Sequence, residues 1–195
     1  MKQYYIFYKP FNVLSRFSPE GEKRTLADYF NNIEKDIYPV GRLDYDSEGL
    51  LLLTNDKQIT HQLLEPSHAH PRTYLVQVEG MITQDAINNL QQGVMINVNG
   101  ALYKTKPALA AIPDKEPELP ERDPPIRFRK NIPTSWVKLT LTEGKNRQVR
   151  KMTAATGFPT LRLVRYSVGS ITIDDIAPGS YKTMDESVKD LLLRR

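Results

Sequence analysis

The chain has no cysteine among its 195 residues. That absence excludes disulfides, thiolate metal sites and a cysteine nucleophile, so any chemistry must come from oxygen or nitrogen groups. Long apolar runs are also missing: none approaches the roughly 20 residues that span a bilayer. The start, Met1-Lys2-Gln3-Tyr4-Tyr5, lacks the apolar core and small-residue cleavage site of a signal peptide. A cytoplasmic protein with no membrane contact is expected. No Gly-rich phosphate loop or dinucleotide fingerprint occurs, so nothing points to an NTPase or a dehydrogenase. Histidine is scarce, with only His61, His68 and His70. No carboxylate spacing completes a ligand set around them, so surface histidines and no metal are expected.

Acidic residues are nearly absent from one stretch. Between Arg127 and Arg165 ten Lys or Arg face a single acid, Glu143, which leaves about +9, whereas residues 1–126 carry 13 basic and 17 acidic groups. The chain's net charge of +4 hides this asymmetry. A localised positive field suits a polyanion such as nucleic acid, and less well an anionic membrane surface; a solvated basic face would give the same count.

The 39% hydrophobic content is enough for one globular domain, or one domain with two lobes. Tyr5 to Lys9 reads as a strand ended by Pro10, and Tyr38-Pro39-Val40 as a short extended piece. Leu50 to Thr54 is a continuous apolar run suited to a buried strand, followed by Asn55-Asp56 as a cap for a helix over 57–64. Strands are expected at 73–79 and 136–141, one or two more within 94–111, and further strand within 161–173. Gln84 to Gln92 should be a helix closed by Gly93. Six prolines within 113–133 make that stretch a surface loop. Asn146 can cap a helix ending at Gly157, with Val149, Met152 and Thr153 on one stripe and Arg147, Arg150 and Lys151 opposite. Thr183 to Glu186 has capping-box spacing for a last helix. Strands dominate and regular βα alternation is absent, so an α+β fold with a mixed, largely antiparallel sheet is expected.

The densest cluster of chemistry-bearing residues is Gly41-Arg42-Leu43-Asp44-Tyr45-Asp46-Ser47-Glu48-Gly49. Its acids and Gly49 match the start of a calcium-binding EF-hand loop, but the twelfth position is Asn55 rather than a bidentate Glu. On residue pattern alone an acidic turn ranks first, a catalytic aspartate second and a metal loop third.

The run from 41 to 56 also closely resembles the catalytic motif of the bacterial ribosomal small-subunit-type pseudouridine synthases. Tyr8-Lys9-Pro10 resembles that family's Lys-Pro motif, and Arg72-Thr73-Tyr74-Leu75-Val76 the strand that carries its active-site tyrosine. Residues 143–152, from Glu143-Gly144 through Arg147-Gln148 to Lys151-Met152, resemble its Arg-Gln motif, and Leu163-Val164-Arg165 with Gly169 its last active-site strand. Many relatives carry a small RNA-binding domain ahead of the catalytic one. Here the first catalytic strand begins near residue 4, which most resembles the type E synthases of large ribosomal RNA, without that module.

The resemblance implies one catalytic domain over 1–195, with two lobes around a central cleft, that isomerises uridine to pseudouridine in ribosomal RNA. The 23S RNA of the large ribosomal particle is favoured. No cofactor is implied, and a monomer is expected. By motif match Asp44 begins cleavage of the glycosidic bond, Tyr74 lies against the ring and serves as base, Arg150 pairs with Asp44, and Leu163 walls the pocket. Arg42 fills the space of the flipped base. Lys9, Lys145, Arg147, Lys151 and Arg165 are expected RNA contacts. A non-catalytic RNA-binding protein and a base-removing glycosylase are the rival readings.

Overall fold

In a computed structural model the structure describes residues 1–126 and 131–193. Arg127, Arg129 and Lys130 of the basic stretch lie outside the described residues. The chain divides into two compact units, one of residues 1–70 and 165–195 and one of residues 71–164.

The first unit opens with β1 (Tyr4–Lys9), then β2 (Val13–Leu14), β3 (Arg24–Thr25), β4 (Tyr38–Pro39), β5 (Glu48–Thr54) and helix α1 (Lys57–Leu64). All seven residues of β5 are buried, which is why Leu50 to Leu53 form a continuous apolar run rather than an alternation. It pairs antiparallel with β1, from Tyr4 opposite Thr54 to Lys9 opposite Gly49. Phe7, Leu51 and Leu53 share a core with Leu26, Phe30, Ile37 and Leu43. Asp56 caps α1 as expected, its carboxylate accepting from the Gln58 N–H at 3.0 Å. The same carboxylate also accepts from the Tyr4 hydroxyl at 2.7 Å.

The second unit contains β6 (Arg72–Glu79), α2 (Gln84–Gln92), β7 (Met95–Val98), β8 (Ala101–Lys104), β9 (Leu109–Ala111), β10 (Thr134–Leu141) and α3 (Gln148–Ala155). Strand β10 pairs antiparallel with β6 on one side and β9 on the other, while β7 and β8 form a separate ribbon. Val76, Val78, Val137, Leu139 and Leu141 pack with α2 and α3 in one core. The chain then runs along β11 (Thr160–Val168) back into the first unit, which finishes with β12 (Ile171–Thr172), β13 (Tyr181–Met184) and α4 (Val188–Leu193).

The α+β class and the antiparallel character agree with the sequence reading, and three details differ. Residues 94–111 form three short strands, not one or two. Thr183 does not cap a helix, because it pairs with Tyr5 in the β1–β13 ladder; the last helix starts later, where Asp185 Oδ1 accepts from the Ser187 N–H at 2.8 Å. Asn146 does not cap α3 either, since the cap position falls to Arg147 in the left-handed conformation, φ +51°. The proline-rich segment has no regular element among its described residues. It is tied to the second unit by Trp136 Nε1 donating to Glu116 Oε1 at 3.0 Å and Arg162 donating to the Pro120 carbonyl at 2.8 Å.

Candidate active site

In the first unit, the acidic run of residues 41–49 is a loop that ends inside a core strand. Gly41 turns the chain at φ +72°, and the exposed Arg42 precedes a buried Leu43. Asp44 follows, half-buried. Its carbonyl accepts from the Ser47 N–H at 3.1 Å, closing a tight turn. Leu43, in the core, is gripped through its backbone: Ser15 Oγ donates to its carbonyl at 2.8 Å and accepts from its N–H at 3.0 Å. The Tyr45 carbonyl accepts from the Asn12 N–H at 2.9 Å.

The metal-loop alternative does not fit this geometry. Glu48 and Gly49 belong to β5, so the acids do not wrap a common centre. Gly49 serves another purpose: at φ +107°, a Cβ there would lie 2.3 Å from the Arg165 carbonyl oxygen. Only glycine permits this approach of two backbones. Among the described residues no group of three or more His, Asp or Glu is arranged to hold a metal.

Two expected RNA contacts are corrected. Lys9 is fully buried, and Nζ donates to the carbonyls of Pro10 at 2.9 Å and Val13 at 2.8 Å. Burial pushes it down to about 7, with Glu48, Asp46 and Asp44 pulling it back up only in part and Arg165 adding to the depression. Lys9 therefore shapes the loop after β1 rather than meeting a phosphate. Arg165 is also buried, its Nε donating to the Leu50 carbonyl at 2.7 Å. The expectation of surface histidines fails for His70, which is 5% exposed.

In the second unit, Tyr74 sits on β6, half-buried against the core that contains Leu163, Val149 and Met152. The turn before α3 is organised by Glu143. Its carboxylate accepts from the Tyr103 hydroxyl at 2.6 Å, the Lys106 N–H at 2.9 Å and Gln148 Nε2 at 2.6 Å. Burial would raise this carboxyl, but those three donors and Lys145 outweigh it and hold it below the usual carboxylate range. Gln148 also accepts from the Lys145 N–H at 2.8 Å, and Lys145 Nζ lies 4.8 Å from the Tyr103 ring centre. The result is a fixed start for α3. Arg147 is exposed, while Arg150 and Lys151 are half-buried, with Arg150 Nε enclosed. Arg147 thus lies outside the helical basic face that periodicity assigned to it. Sequence reasoning missed Ser15, Asn12 and Tyr103, since residues 11–37 and 101–104 carry no pattern that marks them.

A family model described as RNA pseudouridylate synthase matches residues 3–155. Ribosomal large subunit pseudouridine synthase E of Vibrio parahaemolyticus is 49% identical over 177 residues, 91% of this chain and 71% of that protein. The protein of the same name from Xanthomonas axonopodis is 48% identical over 172 residues, 87% of each. A crystal structure of a pseudouridylate synthase superposes with a TM-score of 0.81 at 27% identity, covering 98% of this chain and 74% of that one.

Proposed function

The chain belongs to the RNA pseudouridylate synthase family and is an enzyme that isomerises uridine in RNA, and on that premise we propose a substrate and a set of roles. The substrate is a uridine of 23S ribosomal RNA, in keeping with the names of the relatives. The enzyme acts as a single chain in the cytoplasm. The observation that carries the assignment of roles is the placement of Asp44: a half-buried carboxylate on a loop fixed to the core through Leu43.

Pseudouridine formation breaks the bond from ribose to the base nitrogen, turns the uracil and rejoins it through carbon 5. No redox change and no net hydrolysis occur. A carboxylate must start the cleavage, either by attacking the sugar or by taking a sugar proton, and a base must then remove the proton from carbon 5. Asp44 has the first role and Tyr74 the second. Arg150 pairs with Asp44, and Leu163 gives the uracil an apolar wall. A uridine stacked in a helix is out of reach, so it is flipped at a cost of a few kcal/mol. The exposed Arg42, two residues from Asp44, fills the space it leaves. Arg147, Lys151 and Lys145 meet phosphates.

Pseudouridine maps of ribosomal RNA from cells with and without the gene test this reading. One uridine of 23S RNA left unmodified in the deletion, and restored by the wild-type chain, is expected; identical maps would refute the substrate.

A further inference from the structure

The backbone on both sides of the Asp44 Cα is hydrogen-bonded, and the two bonds differ in reach. The peptide after Asp44 is held locally, its carbonyl accepting from the Ser47 N–H at 3.1 Å within the same turn. The peptide before it is held from a distance: the Leu43 carbonyl accepts from Ser15 Oγ at 2.8 Å, across 28 residues. The Leu43 N–H returns a bond to the same oxygen at 3.0 Å. Local bonding fixes the shape of the turn. The orientation of that turn on the unit depends on Ser15, which holds the peptide entering Asp44, and on the Asn12 N–H, which holds the Tyr45 carbonyl beyond it.

Ser15 is equipped for this. It is 6% exposed, and one hydroxyl satisfies both polar groups of a buried residue, which no apolar side chain can do. Its own segment is braced. Lys9 Nζ bonds the Pro10 and Val13 carbonyls, Val13 and Leu14 pair with Arg24 and Thr25, and the left-handed Asn12 donates its N–H to the Tyr45 carbonyl at 2.9 Å.

We propose that Ser15 is a positioning residue for Asp44: by holding the peptide that precedes it, the hydroxyl sets the direction in which the Asp44 carboxylate leaves the loop. The inference rests on the reading of Asp44 as the group that starts glycosidic cleavage. A misplacement of about 1 Å can cost on the order of 100-fold in rate. Loss of the hydroxyl should therefore lower kcat more than it weakens binding, because Ser15 lies in the interior and the proposed phosphate contacts Lys145, Arg147 and Lys151 lie in another stretch of the chain, residues 145–151.

The test is tritium release from unmodified 16S and 23S transcripts labelled with carbon-5-tritiated uridine, measured well below each variant's unfolding midpoint. Ser15→Ala is expected to lower kcat by about 30- to 100-fold with KM changed less than about threefold, and Ser15→Thr, which keeps the hydroxyl, to recover most of the rate. If Ser15→Ala does not fold, Ser15→Cys fills the site with a weakly hydrogen-bonding thiol and carries the same expectation. A lowered midpoint with wild-type kcat would show a serine that only stabilises, and would overturn the proposal. Asp44→Asn, assayed in parallel, separates the two readings. If it turns over like wild type, the Asp44 role fails and the Ser15 role with it; if it is inert while Ser15→Ala is fully active, only the Ser15 role fails.

Discussion

The hydroxyl of Tyr103, on the short ribbon strand β8, donates to Glu143 Oε2 at 2.6 Å, and this bond ties the ribbon to the turn from which α3 and Arg150 start. Glu143 keeps two further donors without it, Lys106 N–H and Gln148 Nε2. Tyr103→Phe should therefore cost about 1 kcal/mol, and Glu143→Ala, which leaves the buried Gln148 amide and two part-buried donors without their carboxylate, about 3 kcal/mol. Urea unfolding of the two variants measures the difference, and an equal or reversed order would contradict the hub.

Lys9 gives a pH signature. Buried, it titrates at about 7, against about 10.4 in an unfolded chain. Between those values the unfolded state binds more protons, so this group makes stability rise with pH, by at most about 1.4 kcal/mol per pH unit. A neutral amine retains two N–H donors, matching the two carbonyls it faces. In urea titrations from about pH 7 to 9.5, Lys9→Met should lose that rise. Parallel curves for variant and wild type would contradict it.

Gly49 tests the close approach of β5 to β11. A methyl group there meets the Arg165 backbone at 2.3 Å and needs φ +107°, so Gly49→Ala should destabilise by about 3 kcal/mol or more. The unfolding midpoint reports it, and a change below about 1 kcal/mol would show that the strands part without cost.

The basic groups before and within α3 are expected to act through phosphates. Arg147→Ala and Lys151→Ala should each weaken binding of a structured ribosomal RNA fragment and reduce the slope of log affinity against log salt by about 0.7 to 0.9. Fluorescence anisotropy at several salt concentrations gives the slope, and unchanged slopes would remove both from the RNA interface.

The sequence made most of the elements legible where one force dominates. Burial on both faces wrote Leu50 to Leu53 of β5 as an uninterrupted apolar run, and Gly93, at φ +83°, closes α2 at the expected residue. Local capping signals failed where tertiary bonds competed: Thr183 is recruited by the ladder to Tyr5. Motif reading proposes Asp44, and it misjudged the exposure of Lys9, because composition cannot distinguish a lysine that meets solvent from one that folds back on two carbonyls. Ser15 was invisible for a related reason. Its bond to Leu43 spans 28 residues, and neither spacing nor periodicity carries information about such a contact.

The most direct measurement of the central claim is turnover by Asp44→Asn. Asn matches Asp in size but is neither a nucleophilic carboxylate nor a base, so the half-buried loop should keep its fold. With tritium-labelled unmodified ribosomal transcripts, wild type should release tritium and form pseudouridine without free uracil, and the folded variant should do neither. Equal turnover by wild type and variant would contradict the assignment of Asp44, and free uracil from the wild type would identify a glycosylase instead.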